Sequence, residues 1–298
     1  MHNRDPFSGF HPIVNFLYFA EVIGAAMFLM HPVSLVISLG GAVVYSVRLK
    51  GWNMTGRSMR WLLPMMLFAA AVNPAFNHRG ATVLLYLPSG NPLTMESILY
   101  GLAAAAMLAA VVTWFSCFHE VMTSDKLLYL FGRVIPSLSL LLSMTLRFVP
   151  RFQERLRTIV RAQKCVGQDV AEGTLLQRVK KTVTVLSILV TWALESAIDT
   201  ADSMKSRGYG LPGRTAFSIY RLDERDKGAL IWLSACGFLI LCGWISGNLS
   251  WRYYPTLQGT AVTPLTVGIH VAYLALCLTP VMIDQWEEQK WKHLTSGI

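Results

Sequence analysis

Two aspartates and two short cationic segments are the residues of this chain whose types and spacing could do chemistry. Asp199 and Asp202 fall one turn apart on a predicted helix, and this spacing could hold a divalent ion. Because Lys205 and Arg207 follow closely, surface ion pairing is the simpler role for the two carboxylates. A metal-dependent integral-membrane enzyme therefore stands only as an alternative.

The two cationic segments end predicted helices in the same way. The first tip reads Lys164-Cys165-Val166-Gly167, and the second tip reads Lys205-Ser206-Arg207-Gly208. One interpretation is ordinary capping, since the helix dipole favours a cation in the last turn by about 0.3–1 kcal/mol. The other is that both tips dock on a partner protein. Arg207 is then the anchor, because its planar guanidinium can make several hydrogen bonds at once.

The other polar residues do not indicate a catalytic, nucleotide or metal site. The sequence contains no GxxxxGKS/T phosphate-binding loop and no GxSxG or HExxH motif. Its seven histidines and five cysteines are scattered, so we expect no metal ion, no cofactor and no disulfide bond. Glu21 is the clearest ionisable residue inside an apolar run, and such residues often mark pathways in membrane proteins.

Long apolar runs decide the class of protein. Hydrophobic residues make up 53% of the 298 residues, charged residues only 14%, and the mean hydropathy is +0.44. A helix needs about 20 apolar residues to cross the ~30 Å hydrocarbon core of a bilayer. We predict an all-α polytopic membrane protein with about six transmembrane helices. The predicted spans are Ile13–Met30, Val33–Val47, Trp61–Phe76, Ser97–Phe118, Gly228–Gly247 and Leu265–Ile283.

The distribution of lysine and arginine sets the expected orientation. With the N-terminus in the cytosol, only Arg79 and Arg252 face outside, which leaves 24 of the 26 basic residues inside. We therefore expect a multi-pass inner-membrane protein with both termini cytosolic and no cleaved signal peptide. The net charge of +9 is explained by these loops, so nucleic-acid binding is not predicted.

A basic segment divides the chain into three predicted regions. Four spans occupy residues 1–118, coupling helices occupy the cytosolic or interfacial residues 119–227, and two spans with a cytosolic tail occupy residues 228–298. Within the middle region one helix should start near Pro136, kink or restart at Pro150 and end at Gly167.

A longer helix should follow and stop at Gly208, where Gly210 and Pro212 add further stop signals. Its apolar residues repeat every three or four positions, which predicts lengthwise packing on a neighbour. The apolar stretch 186–193 within it is too short for a membrane span. The seam consists of Leu176, Val179, Val183, Leu186, Val190, Ala193, Ala197, Ala201 and Met204.

Three segments resemble a known family. They are residues 146–150 (Leu-Arg-Phe-Val-Pro), 162–164 (Ala-Gln-Lys) and 201–210 (Ala-Asp-Ser-Met-Lys-Ser-Arg-Gly-Tyr-Gly). Together they look like stretches of the transmembrane T component of energy-coupling factor (ECF) transporters, the EcfT/CbiQ-like family. The resemblance spans about residues 13–226. That family has two cytosolic coupling helices that end in Ala-Arg-Gly-like motifs, which places docking at Cys165-Val166-Gly167 and Ser206-Arg207-Gly208. Val166 departs from the pattern, because the family usually has arginine there.

The resemblance implies a non-catalytic coupling subunit of an ATP-driven importer. Two ABC ATPase subunits would hydrolyse ATP and move the coupling helices, and a separate membrane-embedded subunit would bind a vitamin or a metal ion such as cobalt. The small residues Gly101, Ala104 and Ala105 are candidate contacts for that substrate subunit, and internal helix packing is the alternative. A self-sufficient secondary transporter is the other competing class, but it should show repeated halves, and we find none.

Overall fold

The computed structural model describes residues 6–77, 79–86, 92–132, 136–209, 211 and 220–295, and it gives no side-chain detail for 136–140 and 291–295. Gly210 and Pro212, two of the expected stop signals, lie outside the described residues. The chain forms two compact units: unit 1 comprises Met1–Lys126 and Tyr220–Ile298, and unit 2 comprises Leu127–Ile219.

Helices dominate the described residues, as predicted. After a short 3-10 turn at Pro6–Gly9, the described ranges contain nine α-helices in chain order. They are α1 Pro12–Phe28, α2 Pro32–Lys50, α3 Trp52–Phe76, α4 Met95–Val121, α5 Ser124–Gly132, α6 Pro136–Cys165, α7 Leu175–Ser206, α8 Glu224–Ile245 and α9 Pro264–Thr295.

Two small antiparallel hairpins interrupt the helices of unit 1. Strand β1 (Val83–Tyr86) pairs with β2 (Pro92–Thr94), and β3 (Trp251–Arg252) pairs with β4 (Gln258–Gly259). The apolar residues that precede α4 therefore include the strand β1. Its four strand residues are exposed, as befits a hairpin at the edge of a helical unit.

Within the part of the chain that the structure describes, six helices are long and apolar enough to cross a membrane, namely α2, α3, α4, α7, α8 and residues Pro264–Lys290 of α9. Five of them coincide with predicted spans. The sixth predicted span is α1, which has 17 residues and covers only about 26 Å at 1.5 Å per residue. The helix that also meets the criterion is α7: the apolar stretch that looked too short lies inside a helix of 32 residues.

Aromatic side chains from several helices form the core of unit 1. Trp114 of α4 and Tyr18 of α1 are completely buried, and their rings meet edge-on at 6.1 Å. The Trp114 indole donates a hydrogen bond to Ser38 Oγ on α2 (3.2 Å), and Tyr18 donates to the carbonyl of Cys277 on α9 (3.1 Å). These bonds satisfy polar groups that would be costly to bury unpaired.

Small residues allow close helix contacts in the same unit. A Cβ added to Gly41 of α2 would lie 2.8 Å from Cβ of Cys277, and one added to Gly101 of α4 would lie 2.5 Å from the carbonyl oxygen of Ala70. Both contacts need glycine, because even a methyl group would force the helices apart.

Unit 2 contains the helices α6 and α7, which contact each other through aromatic residues. Phe152 of α6 meets Trp192 of α7 edge-on at 5.6 Å, and the Arg155 guanidinium lies 5.4 Å from the same indole. Helix α6 is continuous through Pro150, so the expected restart at this residue does not occur. The helix tolerates the proline and runs on to Cys165.

Candidate docking site

The first tip ends α6 in a left-handed glycine cap. Gly167 has φ of 78°, a conformation that costs a non-glycine residue energy. The N–H of Gln168 donates to the carbonyl of Gln163 (2.8 Å), and the N–H of Gly167 donates to that of Lys164 (3.0 Å). This hydrogen-bond pair is the Schellman motif, which satisfies the last carbonyls of the helix.

The second tip ends α7 in the same geometry. Gly208 has φ of 73°, the N–H of Tyr209 donates to the carbonyl of Met204 (3.0 Å), and the N–H of Gly208 donates to that of Lys205 (3.0 Å). Val166 and Arg207 therefore occupy the same position, immediately before the glycine. The likeness of the two tips, predicted from spacing, holds at the level of the backbone.

The glycine cap alone does not distinguish the two tips from other helix ends in the chain. Helix α8 ends at Gly247 with the same two hydrogen bonds, from Asn248 to Gly243 and from Gly247 to Trp244. The residue before the glycine is exposed in all three caps, but it is the small Ser246 in α8 and a larger side chain, Val166 or Arg207, in the two tips of unit 2. Val166 is 76% exposed, and both Arg207 and Tyr209 are exposed.

The cations of the two tips differ in their local partners. Lys164 forms an ion pair with Asp169 at 3.0 Å. The pKa of Asp169 is lowered by the N–H of Ala171 and by Lys164, so its carboxylate stays charged. The Arg207 guanidinium makes no ion pair within the described ranges. It is therefore available to a partner, whereas Lys164 is already engaged.

The loop between α6 and α7 folds back onto the start of α7. Lys181 donates to the carbonyls of Asp169 (2.9 Å) and Glu172 (3.1 Å), and Arg178 donates to that of Val170 (3.3 Å). The first tip is thereby tied to the N-terminal end of α7, while the second tip is its C-terminal end. About 45 Å of helix lies between them.

The contact at Trp192 divides α6 and α7 into arms of similar length. Cys165 lies 13 residues beyond Phe152, and Ser206 lies 14 residues beyond Trp192. At 1.5 Å per residue each tip projects about 20 Å from the contact. Sequence reasoning missed this contact. Its signal was a single tryptophan at a position outside the apolar seam.

The predicted seam of α7 is not covered by α6 and is exposed along much of its length. Val185 is only 5% exposed and lies seven residues before Trp192, so α6 packs on the face that these two residues share. The lengthwise packing predicted for the seam is not made with α6, because the bulky Trp192 sets that contact on another face, and packing of the seam on a neighbour stays a prediction. The exposed seam members are Leu176 (85%), Val179 (62%), Val183 (57%), Leu186 (56%) and Val190 (48%).

The small residues proposed as substrate-subunit contacts lie mostly inside unit 1. Gly101 is buried against Ala70 of α3, Ala105 is 1% exposed, and Ala104 is partly buried. The packing alternative accounts for Gly101 and Ala105. Their neighbours Leu102, Ala103 and Ala106 line an apolar groove of about 350 Å³ between α2 and α4.

The remaining acidic candidates lie on two different helices, α1 and α7. Asp199 and Asp202 are both exposed on α7, and the described residues contain no group of three or more histidines, cysteines or carboxylates that could hold a metal ion. Glu21 faces α8, where a Cβ on Gly237 would come within 2.6 Å of its Oε1. Its other carboxylate oxygen is buried without a hydrogen-bond partner.

Comparison with known proteins agrees with this architecture. The family model CbiQ, described as a cobalt transport protein, matches residues 10–217. The chain is 28% identical over 241 residues to the energy-coupling factor transporter transmembrane protein EcfT of Bacillus selenitireducens, covering 77% of this chain and 87% of the relative.

Two further relatives carry the same name. The EcfT protein of Streptococcus thermophilus is 28% identical over 194 residues, which is 62% of this chain and 72% of the relative. That of Lacticaseibacillus paracasei is 36% identical over 110 residues, which is 37% of this chain and 40% of the relative. With the family model matching more than half of its length, the chain belongs to the EcfT/CbiQ family, the transmembrane components of energy-coupling factor transporters.

Proposed function

We propose that this chain is the coupling subunit of an ATP-driven importer and that its two tips dock on two ABC ATPase subunits. The observation that carries the proposal is the pair of exposed tips with the same backbone, about 45 Å apart along α7. A standard protein interface buries only ~800 Å² on each partner, so two points this far apart favour two separate docking surfaces.

In this mechanism the tips move when the ATPase subunits close on ATP. Because α6 and α7 contact each other at Phe152 and Trp192, displacement of one tip is carried to the other helix. The arms are of similar length, so each ATPase would act with a similar lever. The chain itself contributes no nucleotide chemistry, in keeping with its lack of a phosphate-binding loop.

The exposed seam of α7 is the better candidate surface for the substrate subunit. A row of large apolar side chains on one helix face fits a partner that is itself embedded in the membrane. We therefore transfer this role from Gly101 and Ala105, which are buried, to the seam residues Val179, Val183 and Leu186. The imported molecule, a vitamin or a metal ion, would be selected by that subunit.

The docking assignment can be tested by reversing the charge at the second tip. Arg207→Glu should reduce co-purification with the proposed ABC ATPase pair by about 30-fold, since loss of an anchoring arginine costs about 2 kcal/mol or more. Arg151→Glu is the matched control: it makes the same exchange at an exposed position of α6, about 20 Å from the first tip, and should leave ATPase binding unchanged. Undiminished binding by a folded, inserted Arg207→Glu protein would refute the assignment.

A further inference from the structure

Residues 6–11, which precede α1, lie against both places where the chain passes between unit 1 and unit 2. Their interior is apolar: Phe7 is fully buried, and its ring meets Tyr18 of α1 edge-on at 5.1 Å. The N–H of Phe10 donates to the Phe7 carbonyl (3.2 Å), which closes the turn. We name residues 6–11 the N-terminal clamp.

One side of the clamp holds Lys126, the last residue before unit 2. Lys126 is only 7% exposed, and its ammonium donates to the carbonyls of Ser8 (2.6 Å) and Val121 (2.8 Å). When the Asn15 amide is assigned so that both its ends are satisfied, its oxygen lies 3.1 Å from the ammonium and its nitrogen donates to Phe7 (2.9 Å). A buried ammonium with three acceptors fixes the clamp to α5, because breaking these bonds would strand a charge away from water.

The other side of the clamp holds the start of α8, just after the chain returns from unit 2. Asp226 is 4% exposed; its Oδ1 accepts the N–H of His11 (3.1 Å) and its Oδ2 accepts the N–H of Asp223 (3.1 Å). The Arg225 guanidinium lies 4.2 Å above the Phe10 ring and pairs with Glu287 of α9 at 3.0 Å. The clamp is therefore fastened to α8 and, through Arg225, to α9.

The two places where the chain passes between unit 1 and unit 2 also lie close to each other. Tyr220 is the first residue after unit 2, and its ring meets that of His11 edge-on with a centroid distance of 6.4 Å. Burial raises the pKa of Tyr220, and the charge of Asp125 raises it further. Asp125 adjoins Lys126 in sequence, so the outgoing and the returning chain are neighbours on the clamp.

We propose that the N-terminal clamp holds together the two segments of unit 1 that connect to unit 2. These segments are the one that ends at Lys126 and the one that begins at Tyr220, and the clamp makes them a single fixed base. A lever transmits displacement only when its base is fixed; two connections that moved separately would absorb the motion of the tips. Lys126 and Asp226 are positioning residues, because both are buried and neither is available to touch a partner. The inference rests on the proposed coupling function and adds to it the part that holds the levers in place.

The test separates ATP hydrolysis from transport. The complete complex, with wild-type chain, Lys126→Met or Asp226→Asn, is reconstituted in liposomes, and ATP hydrolysis and uptake are measured together. We expect both variants to retain the ATPase pair while uptake per ATP hydrolysed falls roughly fivefold or more, within the range of ordinary coupling between sites. Lys227→Met is the matched control, since Lys227 is half exposed and pairs with Glu224 on its own helix.

Hydrogen exchange distinguishes the proposed role of Lys126 from purely local packing, because a local packing defect would not change exchange on the far side of the clamp. In Lys126→Met, peptides covering residues 220–226 should exchange faster, although they lie on the opposite side of the clamp; in Lys227→Met, residues 6–11 should not change. An uptake ratio equal to wild type in both clamp variants would overturn the inference and leave the docking proposal intact. Failure of the wild-type chain to bind any ATPase pair would remove both. If Lys126→Met does not fold, Asp226→Asn, which keeps the side-chain shape, carries the test.

Discussion

Val166 and Arg207 stand at the same backbone position of two helices that end alike, yet they offer opposite chemistry. Arg207 presents a charged fork without an ion-pair partner in the described ranges, whereas Val166 presents an apolar side chain that is 76% exposed. The nearest cation of the first tip, Lys164, is paired with Asp169. At this scale the second tip is expected to bind through charge, and the first tip lacks an unpaired cation that could do the same.

Restoring arginine at the first tip should therefore be tolerated or should strengthen docking. Val166→Arg leaves the cap intact, because the residue before the glycine is exposed and its helical conformation accepts any side chain. Titration of the variant with the ATPase pair should give an affinity equal to or above that of wild type. Gln168→Arg, which adds the same charge just beyond the tip, should give no gain. A clear loss of affinity on Val166→Arg would mean that the partner groove at this tip is apolar and closed to a cation.

The helices show where sequence reasoning succeeds and where it stops. The ends of α6 and α7 were predictable, since glycine after a lysine-bearing last turn is a local signal. The face on which α6 meets α7 was not predictable, because the contact is made by Trp192, which lies off the regular apolar seam. Local sequence specifies where a helix ends, but the face it buries depends on what else the assembly supplies.

Removing the aromatic contact tests whether α6 and α7 act as one element. Trp192→Ala deletes the edge-on contact with Phe152 and the stacking of Arg155, which together contribute about 2 kcal/mol. We expect faster hydrogen exchange in the middle of both helices, retained ATPase binding and reduced transport. Leu194→Ala, an exposed apolar truncation two residues further on, is the control and should change none of these. Unchanged exchange in α6 would show that the two helices are held together elsewhere.

At the scale of the whole molecule, composition alone predicted a helical membrane protein, and five of the six predicted spans coincide with helices long and apolar enough to cross a membrane. The exceptions are α1, which is short but buried, and α7, whose apolar stretch extends further than its core suggested. The N-terminal clamp could not have been predicted, because Lys126 and Asp226 meet residues more than 100 positions away in sequence. Such long-range pairing leaves no periodic signal.

Thiol labelling tests the predicted orientation. Cys165 lies exposed in the first tip, so in the chain expressed alone a membrane-impermeant maleimide should label it in inverted vesicles and not in intact spheroplasts. Cys165→Ser should abolish this labelling, and Arg252→Cys introduced into the Cys165→Ser chain should be labelled from the outside only. Modification of Cys165 in intact spheroplasts would reverse the proposed topology. Added ATPase subunits should protect Cys165 from the reagent.

The two tips differ in chemistry, so the two ends of α7 are not equivalent, and this has a consequence for assembly. A symmetric ATPase homodimer offers two identical grooves, so it must accommodate an apolar plug and a cationic one with the same surface. A heterodimer with one apolar and one acidic groove would instead bind this chain in a single orientation, because each groove would accept only one of the two tips. If the tips dock as proposed, the residue at position 166 would decide whether an ATPase pair can bind this chain in two orientations or in one.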